Sequence, residues 1–240
     1  MADPAGESGK ADWLAALRSD SPPWPVRAML VGEVLGYVAI ALLYTLVGMR
    51  RPREVNAWVV AFFVFAAVWP IAMNLLHGDR PKDSGLRLDT FRPSLKEVLP
   101  TMLVMMLGVG LVGWWAGGWH WHHGEHFARM GSQYMLWGPI QQYLLQAFGL
   151  RRFRQAGLPA WAAVAWAAGV FAIMHAPNWP LVALTFGAGL VWCVQFLRHP
   201  NLLTLGLAHG VLAVWVYHVL PGEWMQRLTI GAEYLHRLAR

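Results

Sequence analysis

Long apolar blocks, broken by short polar, basic or proline-bearing stretches, run through most of this chain. The apolar positions are continuous and do not alternate with period two. A bilayer admits only helices or closed barrels, and uninterrupted runs of about 18 residues or more favour helices. The pattern predicts an all-α polytopic membrane bundle of about seven transmembrane helices. The spans fall near residues 27–48, 56–76, 98–118, 134–150, 159–176, 180–197 and 201–220. The second and third are joined by "HGDRPKDSGLRLDTFRPSLKEVLP", polar and basic, which predicts a short surface helix. Residues 1–25 form a polar tail with a short interfacial helix and lack the basic-then-apolar order of a signal peptide. The first span is therefore expected to direct insertion. Residues 221–240, "GEWMQRLTIGAEYLHRLAR" with its flanking proline, space Trp224, Leu228, Ile230, Leu235 and Leu238 as one amphipathic surface helix. With no tandem repeat or low-complexity tract, residues 26–220 read as one membrane domain.

Composition agrees. Hydrophobic residues make up 57% and charged residues 13%, where a soluble domain carries about a quarter charged. Many of the fifteen tryptophans, among them Trp114, Trp115, Trp119, Trp137, Trp161 and Trp179, stand near predicted span ends, where an amphipathic ring suits the headgroup layer. The net charge of +6 sits in loops between spans, which membrane topology explains without nucleic acid. The side carrying the N-terminus has 12 Lys and Arg against 7 on the other. The positive-inside rule then puts the N-terminus in the cytoplasm, and the expected setting is a bacterial inner membrane. The single cysteine, Cys193, lies within an apolar span and reads as a buried structural thiol.

Strongly polar residues inside a span face a bundle interior and mark function or interhelical bonding. Five places qualify. In "GPIQQYLLQAFGLRRF", Gln142 and Gln146 are four apart and share a helix face, with Gln141 offset by about 100°. In "FAIMHAPNW", Phe171 and His175 stack one turn apart, Asn178 follows, and Pro177 ends or bends the helix. His209 lies mid-span between Gly206 and Gly210 with no polar neighbour on its own helix, so its partner is expected on another. His218 reads as interfacial. Glu33 in the first span is expected either to pair with an arginine or to stay protonated. In "WHWHHGEHFAR", His120, His122, His123, Glu125 and His126 include the H-x-x-E-H spacing of an inverted zinc motif. Gly124 interrupts it, so a metal site and an interfacial histidine cluster both stand, and the metal is unknown.

Chain direction puts Gln141, Gln142, His175 and the His-rich loop toward one side, with His209 near the middle, so one cavity is expected to gather them. At this point the chain resembles the CPBP family, the CAAX-protease and bacteriocin-processing group of intramembrane glutamic proteases. That family carries E-E-x-x-x-R on one helix, F-x-x-x-H on the next and H-x-x-x-N on a later one. Here the matching positions read Gln141-Gln142 with Gln146, Phe171 with His175, and His209 with Ala213. The resemblance spans about 85–215, including an amphipathic "GLRLDTFRPSLKEVLP".

The resemblance implies a water-activating glutamate at position 141, assisted by two histidines, and an oxyanion-stabilising asparagine at 213. Both glutamates, the arginine and the asparagine are absent. Glutamine keeps hydrogen-bonding capacity but no basicity, and loss of a positioned base costs roughly 10²–10⁴ in rate. Two expectations follow. One is an intramembrane endopeptidase-like or other hydrolase using His175, His209 and Gln141, or a histidine-held metal, on a membrane-embedded peptide or lipid. The other is a pseudoenzyme that binds a lipid, an isoprenoid or a transmembrane helix, and the expected substrate-binding residues are Gln142, Gln146, Phe171 and Asn178. The cofactor is unknown.

Overall fold

The computed structural model describes residues 15–17, 19, 21–47, 57–120 and 124–239, with the side chains of 57–59, 63 and 126 outside that description. Among the described residues the regular structure is helical and contains no strand. The main helices are α1 (Trp24–Val47), α2 (Ala57–Leu76), α3 (Phe91–Trp115) and α4 (Glu125–Gln142). A π-helical stretch (Tyr143–Leu150) continues α4 into α5 (Arg151–Gln155). Then come α6 (Ala160–Ile173), α7 (Trp179–Arg198) and α8 (Leu202–Val219), followed by short α9 (Gly222–Met225) and α10 (Gly231–Leu238). Four of these, α1, α3, α7 and α8, are long and apolar enough to cross a membrane.

Each predicted span coincides with a helix, but the junctions differ. The short surface helix expected before the third span is a single 3-10 turn, Pro81–Ser84. It is followed by α3 starting at Phe91, seven residues before the expected span. Tertiary bonds fix this earlier start: Asn201 Nδ2 donates to the Arg87 carbonyl at 2.7 Å, and Ser94 and Thr204 hydroxyls meet at 2.5 Å. A start at Phe91 puts Ser94 inside the helix facing α8. α6, the helix of the fifth predicted span, stops at Ile173, before His175, and a turn carries the chain on to Pro177.

The C-terminal segment is not one amphipathic helix. Gln226, Arg227 and Leu228 all adopt positive φ, 43°, 55° and 57°, and split it into α9 and α10. A left-handed conformation costs L-residues roughly 1–2 kcal/mol each, so packing holds this turn in place. His218 is fully buried rather than interfacial. Its carbonyl accepts from the His120 amide at 3.0 Å, and Phe127 packs on its ring. The loop after α3 therefore covers it.

α4 and α8 pack backbone to backbone. A Cβ on Gly206 would lie 2.7 Å from Pro139 Cα, and one on Gly138 would lie 2.5 Å from the Gly206 carbonyl oxygen. Only glycine permits backbones this near, as small residues do generally in membrane bundles. The π stretch then buries Leu145 through Leu150 completely. Its wider turn frees carbonyls, and Asn74 of α2 takes one of them, donating to Ala147 at 3.1 Å. π segments of this kind recur at functional positions. The core lies between the π stretch, α6, α7 and α8, around Phe148, Ala163, Ala167, Leu205 and Cys193. The thiol is fully buried, as the sequence suggested.

Candidate functional site

Gln146, Gln142 and His209 form a hydrogen-bonded chain across the α4–α8 contact. Gln146 Nε2 donates to Gln142 Oε1 at 3.1 Å, and Gln142 Nε2 lies 3.3 Å from His209 Nδ1. Both glutamines are wholly buried. An amide nitrogen only donates, so His209 Nδ1 accepts, the ring is neutral, and its proton sits on Nε2. His209 thus finds its partner on another helix, as its isolation in α8 required. The one-turn alignment of Gln142 and Gln146 also survives the change to π geometry.

His175 has the opposite tautomer. It stands in the turn after α6, and its Nδ1 is 3.0 Å from the Phe171 carbonyl. A carbonyl only accepts, so Nδ1 carries the proton and Nε2 keeps a lone pair. Phe171 lies against both imidazoles, edge-on, with centroid separations of 5.0 Å to His175 and 5.9 Å to His209. Trp192 of α7 covers His209 at 4.6 Å. One histidine is therefore held as an acceptor and the other as a donor, on either side of a shared aromatic ring.

Both rings line a cavity of about 420 Å³. Gln141, Gln133, Tyr134 and Thr185 add polar groups, and Tyr37, Val38, Leu144, Phe148, Leu184 and Leu212 supply apolar wall. Ala213 also faces it, at the position the resemblance assigns to an asparagine. Gln141, Phe171, His175 and His209 thus border one space. Gln142 and Gln146 stand behind His209, outside the lining, and act on the cavity through that ring. Trp192, Tyr134, Leu228 and Ile230 also line it but carried no sequence signal, because aromatic and aliphatic residues in an apolar helix look alike whether they face lipid or cavity.

Asn178 is elsewhere. Its Oδ1 accepts from the Leu181 amide at 3.3 Å, capping α7. Its Nδ2 donates to the carbonyls of Met225 and Thr229 at 2.8 and 3.1 Å. The side chain is fully buried and outside the cavity lining. It organises backbone, and the binding role expected of it does not follow from its position.

Glu33 pairs with an arginine, the first of its two expected outcomes. Arg152 is fully buried. Its Nε meets Glu33 at 3.1 Å, and its terminal nitrogens meet Asp79 at 3.1 Å and Asn74 at 2.6 Å. His77 contacts Glu33 at 3.0 Å, and Arg151 contacts Asp79 at 2.6 Å. Burial alone would raise the Asp79 carboxyl, but the hydrogen bonds and charges of Arg151 and Arg152 outweigh it and hold that carboxyl below the usual carboxylate range. The cluster ties α1, the end of α2 and α5 together. The arginine that the resemblance places at 146 is absent, and the arginines at 151 and 152 serve this clamp instead.

The H-x-x-E-H stretch falls largely outside the described residues. His122 and His123 lie beyond them, as does the side chain of His126. His120 Nδ1 bonds the Gly118 carbonyl. Among the described residues no group of three or more His, Cys, Asp or Glu converges as a metal would require.

The family model described as Type II CAAX prenyl endopeptidase Rce1-like matches residues 127–215, the stretch from α4 to α8. No curated protein and no solved structure matches the chain significantly. The matched stretch contains Gln141, Gln142 and Gln146, Phe171 and His175, and His209, in the order the motif resemblance gave them. The apolar helices agree with a membrane-embedded fold. Over the helices that build the amide–imidazole chain and its cavity, the chain is similar to the Type II CAAX prenyl endopeptidase Rce1-like family.

Proposed function

We propose that this protein is a CAAX-protease-like integral membrane protein that binds a single amphiphilic molecule in the cavity, without proteolysis by the glutamate route. The carrying observation is the chain Gln146→Gln142→His209. Beside Gln141, which stands where the family's base would, the amides of Gln142 and Gln146 hold a neutral imidazole as a donor. A glutamine takes no proton from water. The donor Nε2–H of His209, the acceptor Nε2 of His175 and the amide of Gln141 suit a hydroxyl, carbonyl or carboxyl head. The aliphatic and aromatic walls suit its chain.

Volume narrows the ligand class. A cavity of about 420 Å³ lies within the 300–1,000 Å³ typical of small-molecule sites. A 20-residue helix, about 30 Å long and 10–12 Å across, needs on the order of 2,500 Å³. An enclosed transmembrane helix is therefore disfavoured against a lipid-like molecule or a prenylated peptide end. A dansyl-labelled fatty acid titrated into protein in lipid nanodiscs tests the reading. Saturable binding that weakens at least tenfold in both His175→Leu and His209→Leu is expected. Binding indifferent to both substitutions would remove the cavity from the account.

The opposite tautomers favour one second reading. In a hydrolase, His175 Nε2 takes a proton from water while His209 Nε2–H donates to the carbonyl oxygen under attack. Turnover of a prenylated peptide that survives His175→Ala and His209→Ala alike would discard it.

A further inference from the structure

Residues 226–231 form part of the cavity wall, and the way they are held sets them apart from the helices. Leu228 and Ile230 both line the cavity. They sit in the turn where Gln226, Arg227 and Leu228 have consecutive positive φ, a conformation that persists only when surroundings over-determine it. Local bonds contribute, with the Thr229 hydroxyl donating to the Gln226 carbonyl at 2.7 Å and Gln226 Nε2 to the Glu223 carbonyl at 2.8 Å. Bonds from outside the segment add to them. The Asn178 amide grips both ends of the turn, at the Met225 and Thr229 carbonyls. Gly231 N donates to the Ala176 carbonyl at 3.0 Å, and a Cβ on Gly231 would run into the Thr45 carbonyl of α1.

Ala176 and Asn178 belong to the turn that carries His175, and the Asn178 backbone N–H donates to the His175 carbonyl at 3.1 Å. The strained segment is thus fastened to the histidine turn on one side and wedged against α1 on the other.

We propose that residues 226–231 are a latched strap over the cavity, with the Asn178 side-chain N–H groups as the latch, and that release of the strap admits or discharges the amphiphile. The proposal rests on the binding reading above and adds its regulation. Stored backbone strain favours the released state, and two buried hydrogen bonds favour the closed one. Their removal shifts the balance by about 10- to 100-fold, as expected for two such bonds. Because the latch adjoins His175, release also frees the turn that positions the acceptor imidazole.

Asn178→Asp isolates the latch. A carboxylate keeps the acceptor that caps α7, loses both donors, and sets negative charge against two carbonyls. Asn178→Ala loses donors and cap together. In a Leu228→Cys background in nanodiscs, the rate of maleimide labelling reports the strap, with buried Cys193 as the unreactive internal control. The expected result is a rate at least tenfold higher in Asn178→Asp, with dansyl fatty acid exchange accelerated in parallel. Labelling unchanged in both Asn178 variants would overturn the latch. Faster labelling with unchanged probe exchange would overturn the gate. Gly231→Ala, which presses on Thr45 and leaves Asn178 intact, gives a second route to the released strap should the Asn178 variants fold poorly. Failure of the unsubstituted protein to bind the probe would refute the ligand reading, while the labelling rates would still decide the latch.

Discussion

Replacing Gln142 with leucine removes the middle of a three-residue chain and keeps the side chain's approximate volume. Two bonds go, the 3.1 Å bond from Gln146 and the 3.3 Å bond to His209. Gln146 Nε2 is left in a site closed to water, and Gln146 Oε1 already has no partner there. Interhelical hydrogen bonds in membrane bundles average about 0.6 kcal/mol and reach about 1.7, so two are worth about 1–3 kcal/mol. For a chain of this size each kcal/mol moves the melting midpoint by about 2–4 °C. Gln142→Leu should therefore melt about 2–12 °C lower, read by tryptophan fluorescence in a fixed detergent. His209 also loses the bond that selects its tautomer, so probe binding should weaken with it. An unchanged or raised midpoint would mean that the amides are not bonded as described. A lowered midpoint with unaltered binding would mean that the chain stabilises the fold and does not tune the cavity.

Gln142→Glu keeps the shape and reverses the polarity: an ionised carboxylate cannot donate to His209 Nδ1, so that nitrogen must carry the proton, and ¹⁵N NMR of labelled histidine should record the tautomer exchange. Arg152→Leu leaves Glu33 and Asp79 without their buried partner and should cost about 3–5 kcal/mol, seen as a large fall in melting midpoint and folded yield. Asp79 supplies a pH dependence. Because its folded pKa is depressed, its stabilisation is complete above the ordinary value of 3.8 and is lost as pH falls through the lower folded value. The midpoint should drop on acidification through that range, and Asp79→Asn should lower it at neutral pH and flatten the acid slope.

Much of the site was legible because polar residues in an apolar helix are conspicuous. Gln141, Phe171, His175 and His209 border one space, and His209 finds the partner expected on another helix in Gln142. Asn178 is conspicuous for the same reason, yet its side chain bonds backbone outside the cavity lining. A polar residue next to a histidine looks like a ligand, and nothing local reveals that three backbone groups occupy it. Leu228 and Ile230 were invisible as cavity wall, since their amphipathic spacing is satisfied equally by a surface helix. The break between α9 and α10 depends on Asn178, 47 residues from Met225.

Sequence alone determined the helical class, the membrane setting and the order of the family's motif positions. Those follow from local composition and spacing, and from what a bilayer demands of a backbone. Tertiary structure decided which tautomer each histidine holds, which glutamine faces the cavity and which stands behind it, and where the arginines are used. The His209 tautomer and the placing of Gln142 behind it depend on the glycine-mediated approach of α4 and α8. The arginine clamp depends on contacts from α1 and the end of α2, and the His175 tautomer is set by the Phe171 carbonyl one turn back. Hydrogen-bond direction is a property of pairs, and the pairs exist only once the helices have met.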